Sequence, residues 1–406
     1  MVERHEYLNE LKKWKDEKVI KVVTGLRRCG KSTLLSMFQE QLRQNGAAEE
    51  QIIAINFEDL QYEALLDYAA LYRYVADRLC PDRMNYIFLD EIQMVQSFQK
   101  AVDSLYIRDN VDLYITGSNA YLLSGELATL LSGRYVEIRM LPLSFREYCE
   151  LKGSGEKDTL FSEYMRYGAL PYIATMNSPD EKADAYLEGI YNTIIVKDIE
   201  LRQQRRESDP NRRKITDMTL LRNIARFLAS SIGSPVSVKS ISDYITSTGR
   251  KISQSTVSDY VDALIEPYVF YPAERYDIKG KQLLKQNRKL YIVDLGLRRH
   301  LIPRQNYDLG YSLENLVYLE LLRRGFEVTI GKVDSNEVDF IAKKGEDVFY
   351  YQVTANLTDE NTFAREIAPF ERISDHYPKT ILTLDRFTPG NYGGIVVANA
   401  VDWFLG

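Results

Sequence analysis

Apolar and polar positions follow two different rhythms along this chain, with the change near Pro142. Before it, Tyr7, Leu8, Leu11 and Trp14 share one face at helical spacing, so residues 1–20 are expected to be helical. Val19–Thr24 is a short apolar strand that runs straight into a glycine loop. Ser32–Asn45 reads as a helix stopped by Gly46. Further short apolar runs lie at Ile52–Phe57, Tyr86–Leu89, Val111–Ile115 and Tyr135–Met140, with helical stretches between them, including Gln96–Asp109. Buried strands alternating with helices predict a parallel sheet covered on both faces.

After Pro142 the rhythm is mostly helical as far as residue 230. Arg202–Lys214 is polar and basic, holds Pro210, and reads as an exposed linker. Val238–Ile245 and Ser253–Leu264 are predicted helices joined by a turn with Gly249, and a hairpin comes next, as far as Leu284. A helix at Ser312–Arg324, ended by Gly325, opens a second mixed region. Its strands are expected at Phe326–Ile330, Val338–Ala342, Val348–Thr354, Thr380–Leu384 and Gly394–Ala398. The expected domains are 1–148, a helical linker 149–214, a unit 215–284 and a C-terminal unit 285–406.

Composition narrows the function classes. The chain has 406 residues, more than one ordinary core accommodates, so about two to four domains are expected. With 45% hydrophobic and 27% charged residues it is ordinary globular material. No apolar run is long enough to span a bilayer, and the N-terminus has no signal-peptide pattern. Cys29, Cys80 and Cys149 have no paired spacing and read as free thiols in a reducing, cytoplasmic setting. Three histidines are too few for a histidine-built metal centre. A net charge of −6 argues against a nucleic-acid surface over the whole chain but allows local basic patches.

The chemistry concentrates on Gly25-Leu26-Arg27-Arg28-Cys29-Gly30-Lys31-Ser32, followed by Thr33. It fits Gly-x4-Gly-Lys-Ser/Thr between a strand and a helix, the context that gives the pattern meaning. Gly25 and Gly30 permit a tight backbone whose N–H groups point at phosphate oxygens. Lys31 is expected to reach the β and γ phosphates of ATP, and Ser32 to offer its hydroxyl to Mg2+. Asp90, at the end of an apolar run, is expected to hold Mg2+ through water, and Glu91 to act as general base on the attacking water. The run Thr116-Gly117-Ser118-Asn119 should place Ser118 or Asn119 near the γ-phosphate; the sequence does not choose between them. Arg134 is either an arginine finger offered to a neighbouring subunit, which would require a homo-oligomer, or a surface salt-bridge residue, and Arg27 and Arg28 inside the loop are further candidates for that charge.

These segments resemble the prokaryotic AAA+-like ATPases of the archaeal-ATPase group. So do Leu89-Asp90-Glu91-Ile92-Gln93, Leu131-Ser132-Gly133-Arg134-Tyr135, Leu141–Glu147, Lys289–Leu297 and Glu337–Phe340. The resemblance covers nearly the whole chain. It implies an α/β chain with a P-loop NTPase parallel sheet, a helical linker with a winged helix-turn-helix, and a C-terminal restriction-endonuclease-like α/β domain of unknown function. It also implies ATP and ADP as ligands and DNA, including branched DNA, or defence as the setting. Arg202–Lys214 departs from the family in being longer and more basic.

Two further expectations concern partners. The second helix of the middle unit begins with Ser253, Gln254, Ser255, Thr256 and Ser258, small polar groups suited to DNA. Arg275, Lys279, Lys281, Lys285, Arg288 and Lys289 then form a basic wing, against which Asp259, Asp262 and Glu266 work. In the tail, Glu314, Glu337 and Asp339 match the acids of a nuclease. The next strand, however, reads Gln352-Val353-Thr354 where such sites carry Glu-x-Lys. A catalytically silent nuclease fold is therefore expected, with the phosphate loop as the working centre. An ATPase acting on DNA is the main reading, and a nucleotide-controlled signalling or defence switch read by a protein partner is the alternative.

Overall fold

The computed structural model describes residues 2–118, 133–177, 179–194, 215–302 and 308–406. Asn119 and the linker Arg202–Lys214 lie outside the described residues. The chain divides into two compact units. One is residues 1–142 with Glu266–Tyr268; the other is Leu143–Ile265 with Val269–Gly406.

The first unit begins with α1 (His5–Lys13), whose Tyr7, Leu8 and Leu11 are buried as their spacing requires. Five strands come after it: β1 (Ile20–Gly25), β2 (Ile52–Asn56), β3 (Asn85–Asp90), β4 (Val111–Gly117) and β5 (Tyr135–Met140). Between them run α2 (Lys31–Gln44), α3 (Tyr68–Ala76) and α4 (Phe98–Tyr106). Every pairing is parallel and the order is β2-β3-β4-β1-β5. Every residue of β1, β3 and β4 is buried, which explains their largely apolar runs, and the two charges within them, Lys21 and Asp112, pair with each other. On one face Phe38 from α2 packs on Phe88 and Tyr114, whose rings stack with centroids 4.7 Å apart. On the other, Leu71, Val75, Val102 and Leu105 from α3 and α4 cover Ile87, Leu113 and Ile115. Because β4 is inserted between β1 and β3, its C-terminal end lies between the ends of those two strands.

The second unit opens with helices α5 (Phe145–Lys152), α6 (Lys157–Tyr167), α7 (Pro171–Ala174) and α8 (Pro179–Asn192). Next come α9 (Met218–Ser230), β6 (Pro235–Val236), α10 (Val238–Ser247), α11 (Gln254–Ile265), β7 (Phe270–Asp277) and β8 (Gln282–Ile292). The remainder is α12 (Leu295–Leu301), α13 (Leu309–Arg323), β9 (Glu327–Val333), β10 (Asn336–Lys344), β11 (Asp347–Thr354) and α14 (Glu360–Glu371). It ends with β12 (Lys379–Thr383), β13 (Gly390–Tyr392), β14 (Ile395–Asn399) and α15 (Ala400–Leu405). The expected boundary at 284/285 falls inside β8, and the expected one at 148/149 falls inside α5. The β7–β8 hairpin is not a separate wing. β7 pairs in parallel with β9, so the hairpin joins one nine-stranded sheet of order β13-β14-β12-β11-β10-β9-β7-β8-β6.

One buried carboxyl ties the helical half of this unit together. Asp294 caps α12 by accepting the Leu297 N–H at 3.0 Å and also accepts the Ala169 N–H at 2.5 Å. Gly168 leaves room for it: a Cβ there would lie 2.3 Å from the Asp294 carboxylate. Burial pushes Asp294 up to about 6, despite those backbone donors. Its folded-state value thus lies above its unfolded one, so the protonated form is favoured on folding. This penalty is absent below the unfolded value and grows as pH rises through about 4 to 6. Between about pH 4.5 and about pH 7.5 it should remove roughly 2 kcal/mol of stability, and Asp294→Asn should abolish that part of the slope. Urea midpoints of both proteins at the two pH values check this; parallel slopes would refute it.

Candidate nucleotide-binding site

The phosphate loop is built by strand, turn and helix in the order the sequence implied. β1 ends at Gly25, whose φ is 148°, and a Cβ there would lie 2.2 Å from the Met140 carbonyl oxygen. The backbone must therefore pass tight against the end of β5, which only glycine permits. Gly30 caps α2 in the left-handed region, and Lys31 is the first helical residue. The loop is braced from behind by the buried Arg4, whose guanidinium donates to the carbonyl oxygens of Cys29 at 3.2 Å and Leu141 at 2.8 Å. Cys29 itself is buried, so it serves the loop through its backbone, and burial pushes its thiol up.

Lys31 lies inside the loop. Its ammonium donates to the carbonyl oxygens of Gly25 at 3.2 Å and Leu26 at 3.3 Å and sits 3.6 Å from Glu91 Oε1. Ser32 and Asp90 line one cleft with Ser36, Asn56, Asp59 and Gln61. Asp90 and Glu91 stand at the C-terminal end of β3, and β4 delivers Thr116 and Ser118 beside them. Thr116 bridges the two acids: its hydroxyl donates to Asp90, and it accepts the Glu91 N–H at 2.9 Å. Ser118 donates to Glu91 Oε2 at 3.2 Å. Burial works against a charge on Glu91. Lys31, Gln93, Arg27 and Ser118 outweigh it and hold the carboxyl below its ordinary value.

This donor set fits a magnesium-bound nucleoside triphosphate. A buried ammonium, a helix N-terminus and glycine-permitted N–H groups suit the phosphates. A serine hydroxyl and a buried aspartate suit the hard cation. Of the other candidate residues, Arg27 forms an ion pair with Glu58 at the mouth of β2. Arg28 carries a left-handed φ of 65°, and Thr33 lies in the first turn of α2. Arg134 is placed elsewhere. It precedes β5, at the end of β1 and β5 away from the loop, where its carbonyl accepts the Ile20 N–H at 2.8 Å. Its guanidinium pairs with Asp103 and lies 5.6 Å from the Tyr106 ring centre. A strand the length of β1 spans roughly 17 Å, so Arg134 does not reach its own loop. Thr116 and Gln93 were given no role by the sequence. The signal for Thr116 was the parallel neighbourhood of β3 and β4, which fixes which residue faces Asp90.

The second unit gathers its acids around a lysine. Glu314 on α13 and Glu337 on β10 both bond the buried Lys289 of β8, at 2.9 Å and 2.7 Å. The Tyr291 hydroxyl donates to Glu314 at 2.7 Å. Burial opposes the charge on Lys289, but Glu314, Asp339 and Glu337 outweigh it and hold the ammonium above its ordinary value. Burial, then Glu314, push Asp339 up. β11 lacks the lysine of a Glu-x-Lys motif, as its sequence says, and the sequence alone did not foresee that β8 brings Lys289 among these acids. It is committed to ion pairs, however. Gln352 accepts the Asp339 N–H at 3.1 Å, and Asp339 accepts the Val353 N–H at 2.8 Å, so both hold β10 to β11. Among the described residues no group of three or more His, Cys, Asp or Glu is arranged to hold a metal ion. The basic wing is corrected too. Besides Lys289, Lys279 pairs with Asp334, Arg275 lies 3.8 Å from Glu337 and Arg288 lies 4.0 Å from Asp262.

Comparison with known proteins agrees with the fold of the first unit. Residues 17–149 match a family described as an AAA domain, and residues 158–308 match a domain of unknown function. An uncharacterized protein of Haemophilus influenzae is 40% identical, covering 100% of this chain and 99% of its own. The Walker-type ATPase PABY2304 of Pyrococcus abyssi superposes with a TM-score of 0.51, over 74% of this chain and 96% of that one. The chain belongs to the AAA+-like ATPases with a C-terminal domain of unknown function. Another relative, the uncharacterized protein MJ1544 of Methanocaldococcus jannaschii, is 30% identical over 87% of this chain and 78% of its own. The Pyrococcus likeness, at 14% identity, concerns the fold alone. No helix among the described residues is long and apolar enough to cross a membrane.

Proposed function

We propose that this AAA+-like protein is a Mg2+-dependent ATPase whose turnover acts on nucleic acid, most directly DNA. One observation carries the ATPase half: the insertion of β4 gathers Lys31, Asp90, Glu91, Thr116 and Ser118 at the mouth of one phosphate loop. When bound, Mg2+ supplies positive charge to the triphosphate, with Ser32 and Asp90 as its protein partners. Lys31 exchanges the Gly25 and Leu26 carbonyls for phosphate oxygens, which also frees Glu91 Oε1. Glu91 takes a proton from water as the water oxygen bonds to the γ-phosphorus. The bond from that phosphorus to the bridging oxygen of ADP breaks, giving ADP and phosphate. Arg134, too far from its own loop, serves a neighbouring copy in a homo-oligomer.

The DNA half rests on the order α9-β6-α10-α11-β7-β8, with β6 paired to β8, which is the order of a winged helix-turn-helix. The N-terminal turn of α11 exposes Ser253, Gln254 and Ser255. The paired state of Lys279, Arg288 and Lys289 favours the second reading, a nucleotide-controlled switch read by a protein partner. Phosphate release measured with and without duplex and branched DNA separates them. DNA stimulation that fades with salt supports the first; slow turnover indifferent to DNA supports the second. Lys31→Ala should abolish turnover under both, and a variant that still hydrolyses ATP would overturn the ATPase reading.

A further inference from the structure

Glu91 is held by more groups than a solvated acid at a strand end needs. It sits in the left-handed region with φ 54° and ψ 45°, and the chain then closes into a tight turn over Ile92–Met94. The Met94 N–H donates to the Glu91 carbonyl at 3.0 Å. That turn folds Gln93 back over the Glu91 side chain, where its Nε2 donates to Oε2. Ser118 donates to the same oxygen. The other oxygen, Oε1, faces Lys31. At its far end Gln93 Oε1 is buried without a hydrogen-bond partner. A buried, unmatched acceptor is a cost that the hydrogen bonding of Gln93 itself does not offset. The side chain is placed for its donor end.

We infer that Gln93 is a positioning residue for hydrolysis: with Ser118 it anchors Oε2 of Glu91, so that Oε1 is left to receive the proton of the attacking water. The arrangement has the logic of a base oriented by a third group, supplied here from the same tight turn. This deepens the ATPase reading and rests on it. Lys31 is the partner of Oε1 that nucleotide displaces, whereas Gln93 and Ser118 hold Oε2.

The test is steady-state hydrolysis of ATP by the full chain. Gln93→Met keeps the length and removes the donor. It should lower kcat by about ten- to a hundred-fold, the usual effect of losing an orienting partner, while KM and the affinity for a non-hydrolysable ATP analogue stay within about twofold. Gln93→Glu, of the same size, sets carboxylate against carboxylate and should lose at least as much. In a Glu91→Gln background Gln93→Met should cost nothing further, because the oriented base is already gone. An unchanged kcat in both Gln93 variants, a loss in KM alone, or an equal loss in the Glu91→Gln background would overturn the inference. Undiminished turnover in Glu91→Gln would overturn the inference at its base, whereas undiminished turnover in Lys31→Ala would overturn the ATPase reading itself, so the two failures are distinct.

Discussion

Glu91→Gln is expected to bind ATP about as tightly as the parent chain and to hydrolyse it roughly a hundred- to a thousandfold more slowly. The amide keeps the shape of the carboxylate and its contacts to Gln93 and Ser118, but it cannot take a proton. Nucleotide affinity should even rise slightly, since a negative charge 3.6 Å from the Lys31 ammonium disappears. Fluorescent-nucleotide titration and phosphate release, run side by side, check both halves; a normal kcat removes Glu91 from the base role. The same variant tests Arg134. Glu91→Gln subunits mixed with Arg134→Ala subunits should regain turnover above the sum of the two alone if the arginine works across a subunit boundary. Simple additivity assigns Arg134 to its ion pair with Asp103.

The second large effect is on stability. Lys289→Met should destabilise the second unit by about 3–5 kcal/mol, because it leaves Glu314 and its neighbours Glu337 and Asp339 without their buried cation. Lys289→Met combined with Glu314→Gln should recover a good part of the loss, since one uncompensated charge goes with its partner. Urea unfolding followed by circular dichroism reads this directly. If the single variant unfolds at the parent midpoint, the cluster contributes nothing net. The comparison also separates a structural ion cluster from a cutting site, because a site built to hold a metal should tolerate losing the lysine better than losing an acid.

The first unit was legible because its three interior strands are buried on both faces. β1, β3 and β4 each show as an apolar run, and Tyr135–Met140 is legible to the residue. The order of those strands was not legible. It depends on pairings such as Val23 with Thr116, far apart in the chain, and with it went the role of Thr116. Gln93 was missed because the left-handed Glu91, which turns it back, carries no glycine to announce the bend. The wing carries less free charge than its sequence suggests, for a different reason. Counting lysines from Arg275 to Lys289 treats each as solvated, but Lys289 meets an acid 25 residues later and Lys279 one 55 residues later. Charge counts see what a segment carries and not what the fold sets against it. The same blindness hid Asp294, a lone acid in an apolar run whose partners are backbone N–H groups, Leu297 of the helix it caps and Ala169 between α6 and α7.

The insertion of β4 also sets a timetable for synthesis. β1 is made among the first residues, but its two neighbours in the sheet begin only at Val111 and Tyr135. While the ribosome works through the intervening stretch, Ile20, Val22 and Val23 have neither strand edge covered, though all three end up fully buried. Sequential release cannot close this sheet from one end; the interior strand β1 must wait for later arrivals. The nascent chain therefore carries an open, apolar edge for about ninety residues of elongation, the interval in which a holding chaperone has its opportunity. Slowing translation between Gly25 and Val111 should therefore lower the yield of chain able to hold nucleotide, and an unchanged yield would refute this timetable.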